Sequence, residues 1–407
     1  MIINLRHLQC ALEIQEKGTI QAAAKQIHLT QSALTQGINK LEDELKLRLF
    51  ERTNSGMFAT VGGARFLQRV SRAFDHLHDF SAALFSSDKI KKYQFVRSVT
   101  SRQLIALISI CEVKSYTAAA KNLGLTQPTL HRAIKDLETL SALKLFTRSP
   151  TGVEPSWRAR QLSRYASLFF VELHQGMEEI AEARGQMDGR LRIGCLPLAL
   201  GNIVPECVLN LLADYPKAQI SIVDGPYEEQ LQGLLNGQLD VIIGALRSQL
   251  PHKDIIQQKL FNDELSIVVK ANHDFAKRST LSDIELQSLA WVVPSQGVPA
   301  RQVFDDLFAQ RGLPKPSAII ECSAMAAIRG LLMHSERAAL LPARQVVAEV
   351  KSGQLAVCPL PLKGTKREIG LTTRLNWQPT RIQQQFLTIL QTYCTGLKDT
   401  MSLNEII

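Results

Sequence analysis

The sequence predicts a multidomain protein with two all-α winged helix-turn-helix units, each followed by a long helix, and then an α/β domain of two subdomains. Three observations support this prediction. The N-terminal part of the chain contains two copies of one sequence pattern. Two long stretches have apolar residues at heptad spacing, and from Arg190 onward apolar strands alternate with helical stretches. A chain of 407 residues, 45% of them apolar, is long enough for roughly two to four domains.

The repeat keeps a constant offset of 96 residues without a gap. Arg6 aligns with Arg102, and the Ala-Ala-Ala-Lys run that ends at Lys25 aligns with the run that ends at Lys121. About twenty of some fifty aligned positions are identical. A fixed period of this length indicates a duplicated folding unit. We call the two units copy one and copy two.

The net charge of +9 is concentrated on the repeated part. Up to Gly185 there are 25 lysines and arginines against 17 aspartates and glutamates, whereas the rest of the chain has 22 against 21. A surplus in this place fits a polyanion, whose phosphates would supply much of the affinity. A basic surface that is merely solvated is the alternative reading of charge alone.

The sequence predicts a cytoplasmic protein with no cofactor and no metal. It contains no run of about eighteen uncharged apolar residues and no signal-peptide pattern at its N-terminus. The seven cysteines are scattered, mostly in apolar sequence, and none shows the CxxC spacing of a zinc site. We expect reduced core residues at Cys10, Cys111, Cys195, Cys207, Cys322, Cys358 and Cys394.

Copy one contains two short helices around a tight turn. Thr19 is placed to cap a helix over 20–27, and Thr30 to cap a second helix from Gln31 to about Leu45. The second helix has one apolar face, which is the pattern of a helix-turn-helix whose second helix reads DNA. Its opposite face carries polar side chains that can bond to base edges in a major groove: Gln31, Ser32, Thr35, Gln36 and Asn39.

Copy two repeats this plan. Residues Glu51–Phe58 predict a small wing in copy one, in which Arg52 can reach a phosphate, and Arg148 holds the same position in copy two. Pro128 falls in the first turn of the second helix, where its missing N–H does no harm. The predicted DNA-reading face of copy two consists of Gln127, Pro128, Thr129, His131, Arg132 and Lys135.

At these residues the sequence resembles a known family. The runs AAAKQIHLTQSALTQGINKLEDELKLRLFERTNSG and AAAKNLGLTQPTLHRAIKDLE, the latter followed by KLFTRSPTG, are similar to the DNA-binding domain of LysR-type transcriptional regulators. The family usually has proline where copy one has Ser32 and arginine where it has Gln36, so copy two is closer there. The resemblance implies a DNA-binding regulator that is not an enzyme. The family normally carries one such domain per chain, and one copy reduced to a scaffold is the alternative.

Each copy is followed by a predicted long helix with a coiled-coil seam. The first stripe is Phe66, Val70, Ala73, Leu77, Phe80 and Leu84, and the second is Leu162, Ala166, Phe169, Leu173, Gly176 and Ile180. The resemblance implies antiparallel pairing of such helices, between two chains in the family. An extended connector over residues 86–96 could reach about 36–40 Å, the length of the first helix, so we expect an intrachain pseudo-dimer. Pairing with another subunit is the alternative.

The region from Arg190 resembles the family's effector domain, similar in plan to periplasmic solute-binding proteins, with crossings between its subdomains near 261–264 and 360–365. Ligands bind at the carboxyl ends of strands in such sheets, and helix N-termini favour an anion. We expect a small carboxylate, with a bidentate grip from Arg247 or Arg301. The predicted contact residues are Cys195, Leu196, Pro197, Pro226, Tyr227, Arg247, Ser295, Gln296, Gly297, Arg301, Ser323 and Ala324.

Three other readings are weighed against a ligand-controlled regulator. An enzyme lacks support because no paired carboxylates, nucleophile-base pair or Gly-rich phosphate loop follows a strand. A redox switch would use Cys195 and Cys322, and an architectural DNA binder would have an effector domain that binds no ligand.

The sequence also predicts the bounds of each segment. Copy one is 1–59, linker helix one 60–85, the connector 86–96, copy two 97–155 and linker helix two 156–185. The effector domain is 186–395, with one subdomain over 190–261 and 364–395 and the other over 262–363, and the tail is 396–407.

Overall fold

The computed structural model describes residues 3–54, 56–86, 88–150, 152–186, 189–360, 362 and 364–400. The chain divides into two compact units. The helical unit is Met1–Gly189, and the α/β unit is Arg190–Ile407. No helix in the described ranges combines the length and the apolar character needed to cross a membrane.

Copy one begins the helical unit with three helices and a two-stranded hairpin. Threonine side chains cap α2, α3 and the long helix that follows the hairpin, as the sequence predicts for Thr19 and Thr30. The elements are α1 Leu5–Lys17, α2 Ile20–Gln26, α3 Gln31–Leu45, β1 Phe50–Thr53, β2 Gly56–Ala59 and α4 Val61–Leu84.

Copy two repeats the same order after one additional helix. Its caps are again hydroxyl side chains, from Thr100, Ser115, Thr126 and Ser156. The elements are α5 Lys89–Ser98, α6 Ser101–Val113, α7 Tyr116–Leu123, α8 Gln127–Ser141, β3 Phe146–Ser149, β4 Gly152–Pro155 and α9 Trp157–Ala183.

The two hairpins are held by the same backbone contact. In copy one the Met57 N–H donates to the Gly18 carbonyl at 2.8 Å, and in copy two the Val153 N–H donates to the Lys114 carbonyl at 3.0 Å. The glycine before each donor has a positive φ, 146° at Gly56 and 139° at Gly152. A Cβ there would lie 2.5 Å from the same carbonyl oxygen, so glycine is required at both positions.

The segment between the copies differs from the prediction. The connector 86–96 was expected to be an extended spacer, but α5 occupies most of it and continues past residue 96 to Ser98. Asp88 caps this helix, and the buried Phe95 ring packs on Phe80 of α4 at 5.6 Å between centroids. Because α5 carries only a short apolar patch among lysines and serines, its composition resembled that of a linker. Copy two is therefore placed by a packed helix and not by an extended tether.

The long helices α4 and α9 pack against each other within the chain. Phe74 contacts Phe169 edge to face at 5.3 Å, and Phe80 lies 6.1 Å from Tyr165. Because rising numbers in α4 meet falling numbers in α9, the pair is antiparallel. The two predicted seams are buried except for Leu84, which is half-buried. One continuous cluster of buried apolar side chains extends through both copies and this helix pair, and each large side chain in it contributes about 1.5–3 kcal/mol relative to exposure.

The α/β unit contains a nine-stranded sheet in its described residues. Its strand order is β10-β9-β11-β8-β13-β7-β5-β6, and β12 pairs with β8. The strands are β5 Arg190–Cys195, β6 Gln219–Asp224, β7 Val241–Ala245, β8 Ile255–Lys270, β9 Ala290–Val293, β10 Ile319–Glu321, β11 Arg337–Pro342, β12 Leu355–Val357 and β13 Lys366–Arg374. The helices are α10 Pro197–Gly201, α11 Ile203–Asp214, α12 Tyr227–Leu235, α13 Asp283–Ser288, α14 Pro299–Ala309, α15 Met325–Met333, α16 Val347–Lys351 and α17 Arg381–Thr400, with a 3-10 helix at Ala343–Val346.

The long strand β8 joins two groups of strands. Up to Glu264 it pairs with β13, and from Leu265 it pairs with β11. We call the β5-β6-β7-β13 group the first half of the sheet and the β9-β10-β11-β12 group the second half. Each half has buried apolar clusters of its own on its two faces, among them one around Phe386 in the first half and one around Trp291 in the second.

Part of this unit was not predicted from the sequence. The first part of β8, strand β12 and the helical turn at Ala343–Val346 were not predicted. The last helix was expected to end near Tyr393, with a tail from residue 396, but α17 continues to Thr400. Residues 401–407 of the predicted tail lie outside the described residues, as do 361 and 363 in the second predicted crossing.

Candidate nucleic-acid interface and effector cleft

Helix α3 presents a polar face because its apolar side chains are all used on the other side. Leu34, Ile38 and Leu41 are buried in the core of copy one. The predicted reading face lies opposite. Four of its members are exposed and Thr35 is half-buried, with its hydroxyl donating to the Gln31 carbonyl at 2.8 Å. The exposed members are Gln31, Ser32, Gln36 and Asn39.

Helix α8 has the same division, and its predicted reading face is exposed throughout. Two members already have intramolecular contacts. The Thr129 hydroxyl bonds with that of Thr126 at 2.8 Å, and the His131 ring stacks on Tyr116 at 3.9 Å between centroids. Burial, followed by the charge of Glu138, raises the pKa of Tyr116 to about 12, so this ring stays neutral beneath the histidine. Gln127, Pro128, Arg132 and Lys135 complete the exposed face.

The predicted wing arginines, Arg52 on β1 and Arg148 on β3, are both exposed. The wings are anchored to α3 and α8 by Glu42 and Glu138, each the second residue of a repeated Leu-Glu pair and neither among the predicted site residues. The Glu42 Oε1 accepts from the Leu49 N–H at 2.7 Å, and the Glu138 Oε1 accepts from the Leu145 N–H at 2.7 Å. The repeated Leu-Glu spacing was the available signal for this role.

Two exposed apolar side chains beside the wings were also missed. Val61 and Trp157 are the first residues of α4 and α9, at equivalent places in the repeat, and are 77% and 66% exposed. The Arg158 guanidinium lies 4.6 Å from the centre of the Trp157 ring. An exposed aromatic and an arginine next to the wing that carries Arg148 form a surface that can contact a nucleic-acid backbone.

The carboxyl ends of the parallel strands in the two halves of the sheet point toward each other. β7 runs in the same direction as β8 because both are antiparallel to β13, whereas β11 is antiparallel to β8. Ala245, at the end of β7, pairs with Ile369 of β13, and Ile369 pairs in turn with Phe261 of β8. Pro342, at the end of β11, pairs with Leu265 of β8. These ends are thus about 13 Å apart along β8. The strand ends at which the sequence predicts an effector site therefore face each other across this part of β8.

In the first half, the structure brings together Tyr227 and Arg247. The Arg247 guanidinium lies 4.1 Å from the centre of the Tyr227 ring. Tyr227 is only 6% exposed, and burial outweighs the opposing effect of Arg247, so its pKa is raised. Leu196 is half-buried and follows β5, while Pro197 and Pro226 are exposed at the starts of α10 and α12.

In the second half, Ser295 and Ser323 meet directly. The Ser323 hydroxyl donates to that of Ser295 at 3.1 Å and accepts from the Ser295 N–H at 3.2 Å. The two residues follow β9 and β10, so this pair sits at the carboxyl edge of the half. Gln296, Gly297 and Ala324 are exposed beside it.

Two predicted cleft residues are placed differently from expectation. Arg301 is 7% exposed, and its guanidinium bonds to Asp305 at 3.2 Å, to Glu321 at 3.3 Å and to the Pro294 carbonyl at 3.0 Å. Its guanidinium is thus already paired with two carboxylates and a carbonyl, whereas it was predicted to hold a ligand. Cys195 does not face the cleft either, because its side chain is fully buried in the first-half core.

A buried charge cluster at the crossing of β8 was not predicted. The Asp263 carboxylate, 5% exposed, accepts from Arg367 at 3.2 Å and lies 3.8 Å from Arg344. Burial raises the pKa of Asp263, and both arginines oppose that shift. Arg344 follows β11 of the second half, so the cluster joins the two halves of the sheet where they meet.

Comparison with known proteins decides the identity of the chain. The family model described as "LysR substrate binding domain" matches residues 184–395. The model described as "Bacterial regulatory helix-turn-helix protein, lysR family" matches twice, over residues 5–64 and 101–160. The chain belongs to the LysR family. It is a LysR-type transcriptional regulator with a helix-turn-helix region for DNA binding and an effector-binding domain.

Two relatives of this LysR-type regulator match different shares of its chain. It is 30% identical over 371 residues to the HTH-type transcriptional regulator GalR of Pseudomonas putida, an alignment that covers 91% of this chain and 92% of the relative. It is 24% identical over 278 residues to the HTH-type transcriptional regulator PcaQ of Agrobacterium fabrum, covering 68% of this chain and 89% of that relative. The alignment with GalR necessarily includes part of both matched helix-turn-helix ranges.

Solved structures of the family share the fold. A full-length OxyR variant from Pseudomonas aeruginosa is 19% identical and superposes with a TM-score of 0.55, covering 72% of this chain and 93% of its own. The LysR family transcriptional regulator CbnR is 22% identical with a TM-score of 0.52, covering 72% of this chain and 98% of its own. Both similarities support the assigned family fold.

Proposed function

We propose that this regulator reads DNA with both helix-turn-helix copies, which arose as a tandem duplication. The observation that carries the proposal is that α3 and α8 each bury one face and expose a polar row beside an anchored wing bearing Arg52 or Arg148. The repeated hairpin contacts support two intact copies over one intact copy and a scaffold. Such a regulator acts where the chromosome lies, in the bacterial cytoplasm.

Gel retention tests this proposal. Replacing Gln31, Thr35, Gln127 and Arg132 together with alanine removes exposed or half-exposed groups and leaves both cores intact. We expect the quadruple variant to lose retention of its operator while keeping the melting temperature of the wild type. The two pairs of substitutions made separately serve as matched variants. Undiminished retention in the quadruple variant would contradict the proposal.

We infer further that one chain supplies a complete pseudo-two-fold pair of DNA-binding domains. The antiparallel packing of α4 on α9 within the chain supports this arrangement. Helix α5 also supports it, because it packs on α4 and so joins the two copies by a fixed segment. Assembly through the effector domains could then bring further chains together. Sedimentation of residues 1–189 at micromolar concentration tests it, since a monomer is expected and a stable dimer would favour pairing between chains.

The effector is proposed to be a small carboxylate that binds between two subdomains formed by the two halves of the sheet, as in periplasmic solute-binding proteins. Arg247, stacked on Tyr227, would hold the carboxylate, and the Ser295–Ser323 pair would offer hydroxyl groups from the facing half. Closure of the cleft would change the placement of the DNA-binding domains and so the half-sites that they occupy. A thermal-shift screen with small carboxylates tests this, and the Arg247→Gln variant should lose any shift.

Redox sensing is less well supported than ligand binding. Burial, followed by the charge of Asp224, raises the pKa of Cys195 to about 12, which keeps this thiol protonated and unreactive. Cys322 is half-exposed and lies in the other half of the sheet. A silent sensor on an architectural DNA binder is the outcome that universal failure of the carboxylate screen would favour.

A further inference from the structure

The helices α4 and α9 are equivalent in the repeat, but the contacts between them are not symmetric. Under the offset of 96 residues, a contact between positions 69 and 172 has its equivalent between positions 76 and 165. The side chains at these two places differ in charge and in size. The difference determines which helices can pair.

The charges are divided between the helices. The Arg69 guanidinium, 4% exposed, bonds to Glu172 and to Gln175 at 3.0 Å each, and its Nε bonds to Glu179 at 3.0 Å. Arg72 adds a bond to Glu172 at 3.0 Å. Burial alone would lower the pKa of Arg69, but Glu179 and Glu172 outweigh it and raise that pKa. In this cluster α4 supplies both cations and α9 supplies both carboxylates.

The equivalent positions cannot supply the same partners. Arg69 and Arg72 correspond to Tyr165 and Leu168 on α9. A pair of two α9 helices would therefore bury Glu172 without these arginines and leave the half-buried Glu179 without its arginine, and an uncompensated buried charge is strongly destabilising. On α4 the equivalents of Glu172 and Glu179 are a histidine and an alanine, and the equivalent of Gln175 is Asp79, so a pair of two α4 helices would offer one carboxylate where the α4–α9 pair offers two.

The sizes of the side chains divide in the same way. A Cβ at Gly176 would lie 3.0 Å from the Phe66 ring and 3.2 Å from the Arg69 Cβ, so the phenylalanine fills the space that the glycine leaves. The equivalents are Leu162 for Phe66 and Phe80 for Gly176. Two α4 helices would place two phenylalanines in contact, and two α9 helices would leave a gap between leucine and glycine.

We propose that α4 and α9 form a heterotypic pair whose charges and shapes exclude α4–α4 and α9–α9 pairing, which gives the helices a partner code. This code rests on the proposed function in one respect, because it explains why the pair of DNA-binding domains closes within one chain. The partner that fits α4 is an α9 helix. It comes from the same chain, or from a second copy of the chain when the α9 helix of the same chain does not match α4 in charge.

Complementation between two full-length variants tests the code. The first variant carries Arg69→Glu and Arg72→Glu, so both of its helices are acidic at the contact, and the second carries Glu172→Arg and Glu179→Arg, so both are basic. Each variant alone should unfold at a lower temperature than the wild type. Co-expressed with different tags, the two should form a mixed dimer by exchanging helices, and one tag should recover the other at least about tenfold more than in co-expressed wild type.

A size exchange gives an independent check. Gly176→Phe should lower the melting temperature, and Phe66→Ala added to it should restore at least half of the loss, because the cavity then receives the new ring. Phe74→Ala, which removes an α4 ring that contacts Phe169, is the matched control and should restore nothing. Wild-type stability in either charge variant, absence of the mixed dimer, or equal effects of the two alanines would each overturn the code. A mixed dimer that forms but fails to retain operator DNA would count against the proposed function alone.

Discussion

At the scale of single residues, the turn between α2 and α3 carries backbone strain. His28 has a φ of 52°, a left-handed conformation that costs about 1–2 kcal/mol outside glycine, while copy two has Gly124 at a φ of 64°. We expect His28→Gly to stabilise the protein by about 0.5–1 kcal/mol, after allowance for the added freedom of the unfolded chain. Urea unfolding measures the change. Gly124→His is the matched control and should destabilise, and a destabilised His28→Gly variant would refute the assignment of strain.

The cysteines yield a second prediction about single residues. Burial raises the pKa of Cys195 to about 12 and that of Cys358 to about 11, so their reactive thiolates are scarce near neutral pH. Cys322 is half-exposed. We expect iodoacetamide to label Cys322 of the native protein well before Cys195, as read by mass spectrometry of digested samples. Equal labelling of the two thiols, without loss of the fold, would reopen the redox reading.

The exposed polar faces of α3 and α8 could be predicted from sequence, whereas the partners of buried charges could not. Gln31 and Arg132 could be assigned to a surface because the apolar period of their helices fixes the opposite face. Arg301 on α14 could not be assigned correctly, because its partner Glu321 lies on β10, which only the fold brings near. Cys195 was misplaced because alternation along a strand does not say which face is the core when both faces are covered.

At the scale of elements, the helices with strong periods were predictable and those placed by contacts were not. Helix α5 was not predicted, because its buried residues are Phe95 and Val96, which are too few to produce a helical period in the sequence. The first part of β8 was not predicted, because its apolar and polar residues alternate only weakly. Its pairing with β13 also depends on residues more than a hundred positions away. By contrast, the seams of α4 and α9 were clear because six apolar positions recur at heptad spacing in each.

The anchoring of the wings yields a prediction for these elements. The Glu42 carboxylate accepts N–H bonds from Leu49 and Phe50, and Glu138 accepts the equivalent bond from Leu145. We expect Glu42→Ala to cost about 1.5–3 kcal/mol in stability, because bonds to a charged acceptor are lost. DNA affinity should fall as well, since the wing loses its support. Chemical unfolding and gel retention measure the two effects. An unchanged stability in both Glu42→Ala and Glu138→Ala would show that the carboxylates do not hold the wings.

The helix pair is expected to respond to acid. Burial alone would raise the pKa of Glu172, but Arg72 and Arg69 outweigh it and lower that pKa. A carboxyl group whose pKa falls on folding adds stability above its ordinary pKa of 4.5 and loses it as the pH drops through the folded value. We expect the melting temperature to fall below about pH 4.5, and the Glu172→Gln variant to show a smaller slope there. Glu154→Gln, at a carboxylate whose side chain is 42% exposed, is the control and should keep the wild-type slope.

At the scale of the whole molecule, the family and the order of its units could be predicted from sequence, whereas the way in which the two copies are joined could not. The surplus of positive charge on the repeated part predicts that DNA binding weakens steeply with salt. If both copies contact phosphates, a variant with both wing arginines replaced, Arg52→Ala with Arg148→Ala, should show a salt slope lower by about 2 than that of the wild type. Affinity measured from 50 to 200 mM salt tests this, and an unchanged slope would place the wings away from the duplex.

Hydroxyl-radical footprinting of the full chain tests the central claim most directly, on duplexes selected from random sequence by repeated retention. The account predicts two protected half-sites for each bound chain, about one or two helical turns apart on one face of the duplex. Replacing Gln127 and Arg132 should erase one half-site and leave the other. A single protected half-site per chain, or a footprint that these two substitutions leave unchanged, would contradict the claim that one polypeptide grips DNA with both of its copies.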